Sequence, residues 1–304
     1  MLPGEQISDE AAGVTTAAAA AAAVALAAAS HSPPSSSVGA KPGAGDLWLG
    51  YADKARSAVL AVLSLTLFVV AWHFLTENRI VFHIRFLNVP TPTQVLEKAQ
   101  IALGTSQYFT HVLISSRRIF FGFIIAAVIA VPLGLIMGRS RWVRELVFPI
   151  TEAIRPIPAI AWVPMAIMLW PTNEQSIVFI TFLGSFFPIL LNTLHGVSSV
   201  DPVLERAARS LGASQRALFL EVYFPAALPH IFTGMTIGMG VAWVSLIAAE
   251  MISGQFGVGY FTWEAYSLIQ YADIVLGMIT IGILGLISSA IVRVTGHLCM
   301  PWVR

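Results

Sequence analysis

The chain has 304 residues, of which 57% are hydrophobic and only 11% charged, and its mean hydropathy is +0.78. A soluble globular domain carries roughly 25% charged residues, so composition excludes an ordinary water-soluble fold and calls for lipid as solvent. The net charge of +1 is no footprint for nucleic acid, and a single cysteine, Cys299, excludes an internal disulfide and a multi-thiolate metal site.

Residues 1–45 are dominated by Ala, Ser, Pro and Gly. Glu5, Asp9 and Glu10 stand where a secretory signal would carry positive charge, and alanine is too weakly apolar for a span. This stretch reads as a disordered tail, and residues 46–304 as a membrane domain. A span needs about 20 mostly apolar residues. The runs that qualify are 57–75, 119–138, 157–171, 176–197, 231–251 and 274–292, which predicts an all-α integral membrane fold of about six transmembrane helices. Between the first two, Pro90-Thr91-Pro92-Thr93 reads as a helix start with Thr93 as cap. The apolar spacing from Val95 to Leu103 then predicts an amphipathic surface helix, followed by a second one before Arg118. The third span begins at Arg155-Pro-Ile-Pro158 and holds Pro164. Proline breaks a helix, and a broken helix at membrane depth is tolerated only against protein or water, so this segment is a candidate pathway lining. Gly134 with Gly138, and Gly234 with Gly238, have the four-residue spacing that lets helices approach closely in lipid.

With a cytoplasmic N-terminus, Arg139, Arg141, Arg144, Arg155, Arg206, Arg209, Arg216 and Arg293 all fall on the inner side, while loops 172–175 and 252–273 contain no Lys or Arg. This is the positive-inside pattern. Both termini are then cytoplasmic in a bacterial inner membrane. The longer 76–118 segment, with Arg79, Arg85, Lys98, Arg117 and Arg118, runs against it.

Loop 199–229 is unusually polar for this chain. Pro202 is a favoured first helical residue, Gly212 a C-terminal stop and Ser214 a cap for a second helix, which Pro225 and Pro229 help to terminate. A helix–turn–helix projecting into cytoplasm is suited to being gripped by another protein.

Arg206-Ala207-Ala208, three residues, Gly212, nine residues and Val222-Tyr-Phe-Pro225 resemble the EAA loop of bacterial ABC importer permeases. Arg206 stands where that pattern has Glu, with Glu205 one place earlier, so either position is open for the glutamate's role. Arg155-Pro-Ile-Pro-Ala-Ile-Ala-Trp-Val-Pro164, Arg209-Ser-Leu-Gly-Ala-Ser214, Leu228-Pro229 and Ala248-Ala-Glu250 extend the resemblance over about residues 55–300, to the nitrate/sulfonate/taurine/bicarbonate permease subfamily. The resemblance implies a type I (MetI-like) permease that imports a small anion. It also implies a second permease copy, cytoplasmic ABC ATPase subunits that supply the hydrolysis, and a periplasmic or lipid-anchored substrate-binding protein. Carried over onto this sequence, Glu205, Arg206, Ala207, Ala208, Gly212, Ala213, Ser214 and Pro225 form the ATPase-coupling element.

No lysine lies in a P-loop context, so no ATP site or cofactor is expected. Trp162, Trp243 and Ser245 are candidate pathway residues from their place beside the breaks. Glu250, the one acid inside a predicted span, is a further candidate, though pairing with a neighbouring span or capping the 252–259 turn is the better reading. Arg155 reads as an inner-surface anchor, and His73, His83 and His111 lack the spacing of a metal site. The alternative function, a secondary transporter or channel without an ATPase, would leave the polar loop unexplained.

Overall fold

The computed structural model describes residues 44–78 and 88–303, with side chains from residue 55 to 302. Of the expected 1–45 tail only Ala44 and Gly45 fall in this range, and Arg79, His83 and Arg85 lie outside it. The chain divides at Thr66. The smaller unit contributes helix alone over its described residues, and the larger, from Leu67 onward, holds the packing described below.

Helix α1 (Ala44–Glu77) is apolar from Ala55 onward. Helix α2 (Pro92–Leu103) starts two residues earlier than the sequence suggests: Thr91, not Thr93, is its cap, and the Gln94 side chain accepts the Thr91 N–H in return. Proline at the first helical position costs no hydrogen bond, which is why the start settles there. The second surface helix expected before Arg118 is no separate element. It forms the first turns of α3 (Ser106–Arg139), which is 34 residues long and so about 51 Å at 1.5 Å per residue. The polar run Ser115-Ser-Arg-Arg118 interrupts the hydropathy but contains nothing that stops a helix.

Ser140 caps α4 (Arg141–Ile154), an amphipathic helix where the sequence predicted only loop. After the prolines come a 3-10 turn (Ala159–Trp162) and α5 (Val163–Leu169). The expected span 157–171 is therefore not one helix, and α4 meets the Ala159–Leu169 stretch at 86°. Seven residues of α5 rise about 10 Å, far short of a bilayer core.

Helix α6 (Asn173–Ser198) precedes α7 (Pro202–Ser210). Pro225 and Pro229 do not terminate the next helix. α8 runs from Gln215 to Ser253 through both, by way of a π-helical stretch at Leu218–Tyr223. The wider turn removes the hydrogen bond that Pro225 could not donate. Within the expected 252–273 loop lies α9 (Val258–Ser267), and α10 (Tyr271–Cys299) closes the fold.

α6 lies between α3 and α8, and small residues set the separation. A Cβ on Gly134 would stand 2.7 Å from the Thr193 Cβ, one on Gly138 2.5 Å from the Val197 Cβ, and one on Gly234 2.6 Å from the Asn192 Cβ. The spacing read from sequence is thus a set of close helix approaches. Dispersion over those contacts holds α3, α6 and α8 together, since lipid gives little hydrophobic drive between spans.

Candidate functional site

The candidate functional residues fall into three groups, at different levels of the α3–α6–α8 core. The first is the helix–turn–helix at the arginine-rich end. Asp201 caps α7 by accepting the Val203 N–H at 2.8 Å. The helix ends in a Schellman turn: the Ala213 N–H reaches the Ala208 carbonyl and the Gly212 N–H the Arg209 carbonyl, both at 3.0 Å. Gly212 has φ +82°, a left-handed conformation that glycine adopts freely, and a Cβ built there meets nothing within 4 Å. Ser214 then accepts the Ala217 N–H and starts α8.

Glu205 points back into the chain. Its carboxylate accepts the Tyr223 hydroxyl at 2.6 Å and the Arg209 guanidinium at 2.7 Å. The Tyr223 hydrogen bond, reinforced by Arg209, holds this carboxyl below the usual carboxylate range. Arg139 lies over the Tyr223 ring and also donates to Gln215, so α3 joins the same tie. Arg206 is exposed and has no side-chain partner among the described residues, and Leu211 at the end of α7 is 89% exposed. Ala207, Ala208 and Ala213 keep the turn narrow. Pro225 sits on α8 beyond the π-helical stretch, away from the exposed tip.

The second group lines a cleft of about 400 Å³ where the broken segment faces α6 and α8. Of the four candidate pathway residues only Trp162 lines it, together with Arg155, Pro158, Phe187, Asn192 and Val241. Trp243 is buried, with its indole N–H on Ser288 of α10 at 2.8 Å. Ser245 is buried against Gly184 and bonds the Val241 carbonyl. Arg155, read from sequence as an inner-surface anchor, borders the cleft.

The third group surrounds Glu250 at the opposite end. Its side chain is completely buried and does what a buried charge must, finding both a cation and N–H or O–H donors. Arg118 donates to it at 2.9 Å, Ser115 at 2.8 Å and the Gly259 N–H at 2.9 Å. Arg118 also donates to the Phe256 carbonyl at 2.6 Å and pairs with Glu174 at the start of α6. His111 Nδ1 accepts the Gly257 N–H, and Ser115 Oγ accepts that of Val258. Arg118, Ser115 and His111 of α3 and Glu250 of α8 thus fasten the 254–259 turn, and Glu174 of α6 holds Arg118 in place. Gly257, at φ +122°, lies so close that a Cβ would overlap the Glu250 carboxylate. Sequence reasoning found Glu250 and missed Arg118, Ser115, His111 and Glu174. The available signal was that a lone acid in a span requires a cation from another span, and Arg118 is the arginine nearest an apolar run on that side. Among the described residues no group of three or more metal-ligating side chains occurs.

The family described as binding-protein-dependent transport system inner membrane component matches residues 130–304. A probable ABC transporter permease protein of Brucella melitensis is 35% identical over 243 residues, 80% of this chain and 96% of its own length. The nitrate import permease protein NrtB of Synechocystis sp. is 34% identical over 223 residues, 70% of this chain and 81% of its own. The bicarbonate transport system permease protein CmpB of Synechococcus elongatus is 37% identical over 185 residues, 60% and 66% of the two chains.

Proposed function

We infer the function of this chain from its family: it belongs to the binding-protein-dependent transport system inner membrane components, and it is a multi-pass permease subunit of an ABC importer, not itself a catalyst. Its cargo is a small oxyanion. Nitrate and bicarbonate stand first, because two relatives carry those substrates in their names; a sulfonate such as taurine belongs to the same chemical class. The arginine-rich end, with both termini and residues 199–229, faces the cytoplasm. There a separate ABC ATPase grips α7 and its turn. A second copy of the chain completes the pathway, and a periplasmic or lipid-anchored binding protein delivers the anion from the other side.

The observation that carries this reading is the helix–turn–helix between α6 and α8. It is fastened at its base through Glu205, Tyr223 and Arg139, while Arg206, Leu211 and the bare backbone of Gly212 stay exposed. Such an element passes a push from a bound protein to α8 and α3 without bending. In this position Glu205 is the internal tie and Arg206 the outward contact.

The test is purification of the full chain with its associated proteins, followed by reconstitution in vesicles and tracer uptake of nitrate, bicarbonate and taurine. An ATPase co-purifies, and uptake of one anion requires both ATP and a binding protein. Uptake driven by an ion gradient, with no ATPase present, would establish the secondary-transporter reading instead.

A further inference from the structure

We propose that Arg155 and the Trp162 indole N–H form a transit site for the oxyanion in the cleft beside the broken segment. The proposal rests on the reading of this chain as an anion permease, and it assigns the cleft a ligand class and a contacting cation.

The first support is depth. The 26 residues of α6 extend about 39 Å at 1.5 Å per residue. Its cleft-lining residues run from Leu183 to Asn192, which places the cleft about 15 to 29 Å along that axis. It therefore lies at hydrocarbon depth rather than at the interface. An arginine bordering such a cleft is costly unless it faces water, and the Arg155 side chain is 54% exposed. Backbone irregularity supports the same conclusion. Residues 155–162 are broken by two prolines and a 3-10 turn, and free backbone groups at that depth require protein or water beside them. A cleft open to water meets both demands.

The second support is charge. Arg155 is the one charged side chain among the residues lining the cleft. Glu152, one turn earlier on α4, takes a single bond from its Nη1 at 3.2 Å and is itself 44% exposed. The other guanidinium N–H groups have no partner among the described residues, and a planar fork of N–H donors matches an oxyanion. The Trp162 N–H likewise has no partner among the described residues, and no buried side-chain N or O atom there is left unsatisfied, so it lies at the accessible surface of the chain. Asn192 gives one of its two Nδ2 N–H groups to the Pro188 carbonyl at 2.8 Å, so it adds at most one further neutral donor to the cleft. One cation and one indole N–H attract an anion without holding it, as conduction requires. Affinity then belongs to delivery and rate to this site.

The experiment uses the complete transporter in a Cys299→Ser background, with nitrate and bicarbonate as tracers. Arg155→Gln lowers kcat for uptake at least about tenfold, the loss of one charge-assisted contact, while KM and the amount of co-purified ATPase stay unchanged. Arg155→Lys retains most of the rate, and Arg155→Glu abolishes it. With Arg155→Cys, an aqueous ammonium-bearing methanethiosulfonate restores uptake and a sulfonate-bearing one does not. Arg155→Gln with wild-type kcat per assembled complex would overturn the proposal. So would loss of ATPase or of the protein itself in Arg155→Gln, which would make Arg155 an anchor. If the wild-type complex showed ATP-driven uptake of neither anion nor of taurine, the functional reading would fail first, independently of any Arg155 variant.

Discussion

Glu250 shows how one residue constrains a membrane fold. A carboxylate with no exposed surface is tolerable only because Arg118, Ser115 and the Gly259 N–H all reach it. Arg118→Ala removes the cation and leaves the acid buried, which costs about 3–5 kcal/mol. Glu250→Gln leaves Arg118 paired with Glu174 and costs less. Melting of the purified protein in detergent checks the order, and equal melting temperatures for wild type and Arg118→Ala would contradict it. Glu250 was legible in the sequence because an acid inside an apolar run is conspicuous. Arg118 was not, because beside Arg117 and Ser116 it looks like the polar edge of a span. Which arginine turns inward depends on helical phase, and that phase was set by α3 continuing unbroken from Ser106.

At the scale of elements, α7 and its turn were legible in detail. Pro202, Gly212 and Ser214 are local signals, and each sits where capping chemistry puts it. The third span misled because hydropathy sees an apolar run but not the direction change that Pro156 and Pro158 impose, and because α4 is amphipathic rather than uniformly apolar. α8 misled in the opposite sense, since a π-helical stretch carried it past prolines that looked terminal.

The tie at the base of α7 has a defined pH response. The Glu205 carboxyl is depressed by the Tyr223 hydroxyl and by Arg209. A depressed folded value means that its stabilisation is complete above the unfolded carboxylate value, about 4.3, and disappears as pH falls through the lower folded value. ATPase retention on the purified complex is therefore flat from about pH 5 upward and weakens only at more acid pH. Tyr223→Phe removes the larger cause and moves that loss toward higher pH. A retention profile that changed between neutral and mildly acid pH, or that ignored Tyr223→Phe, would argue against this role for Glu205.

For the whole molecule, the proposed orientation rests on the arginines at one end, the positive-inside pattern. With Cys299 replaced, Arg206→Cys is modified by an impermeant thiol reagent only from the cytoplasmic side, as in opened vesicles. Ready modification in intact cells would invert the topology. In the proposed mechanism, force passes between a soluble ATPase and the α3–α6–α8 core through the turn at Gly212. Aspartate tolerates positive φ better than most side chains, and a Cβ there meets no atom of this chain, so Gly212→Asp leaves the turn and membrane insertion intact while placing a charged side chain on the docking surface. The most direct measurement is ATPase co-purification together with ATP-driven uptake for Gly212→Asp against wild type. Normal membrane levels with both activities lost is the predicted result, and near wild-type attachment and uptake would contradict the coupling role.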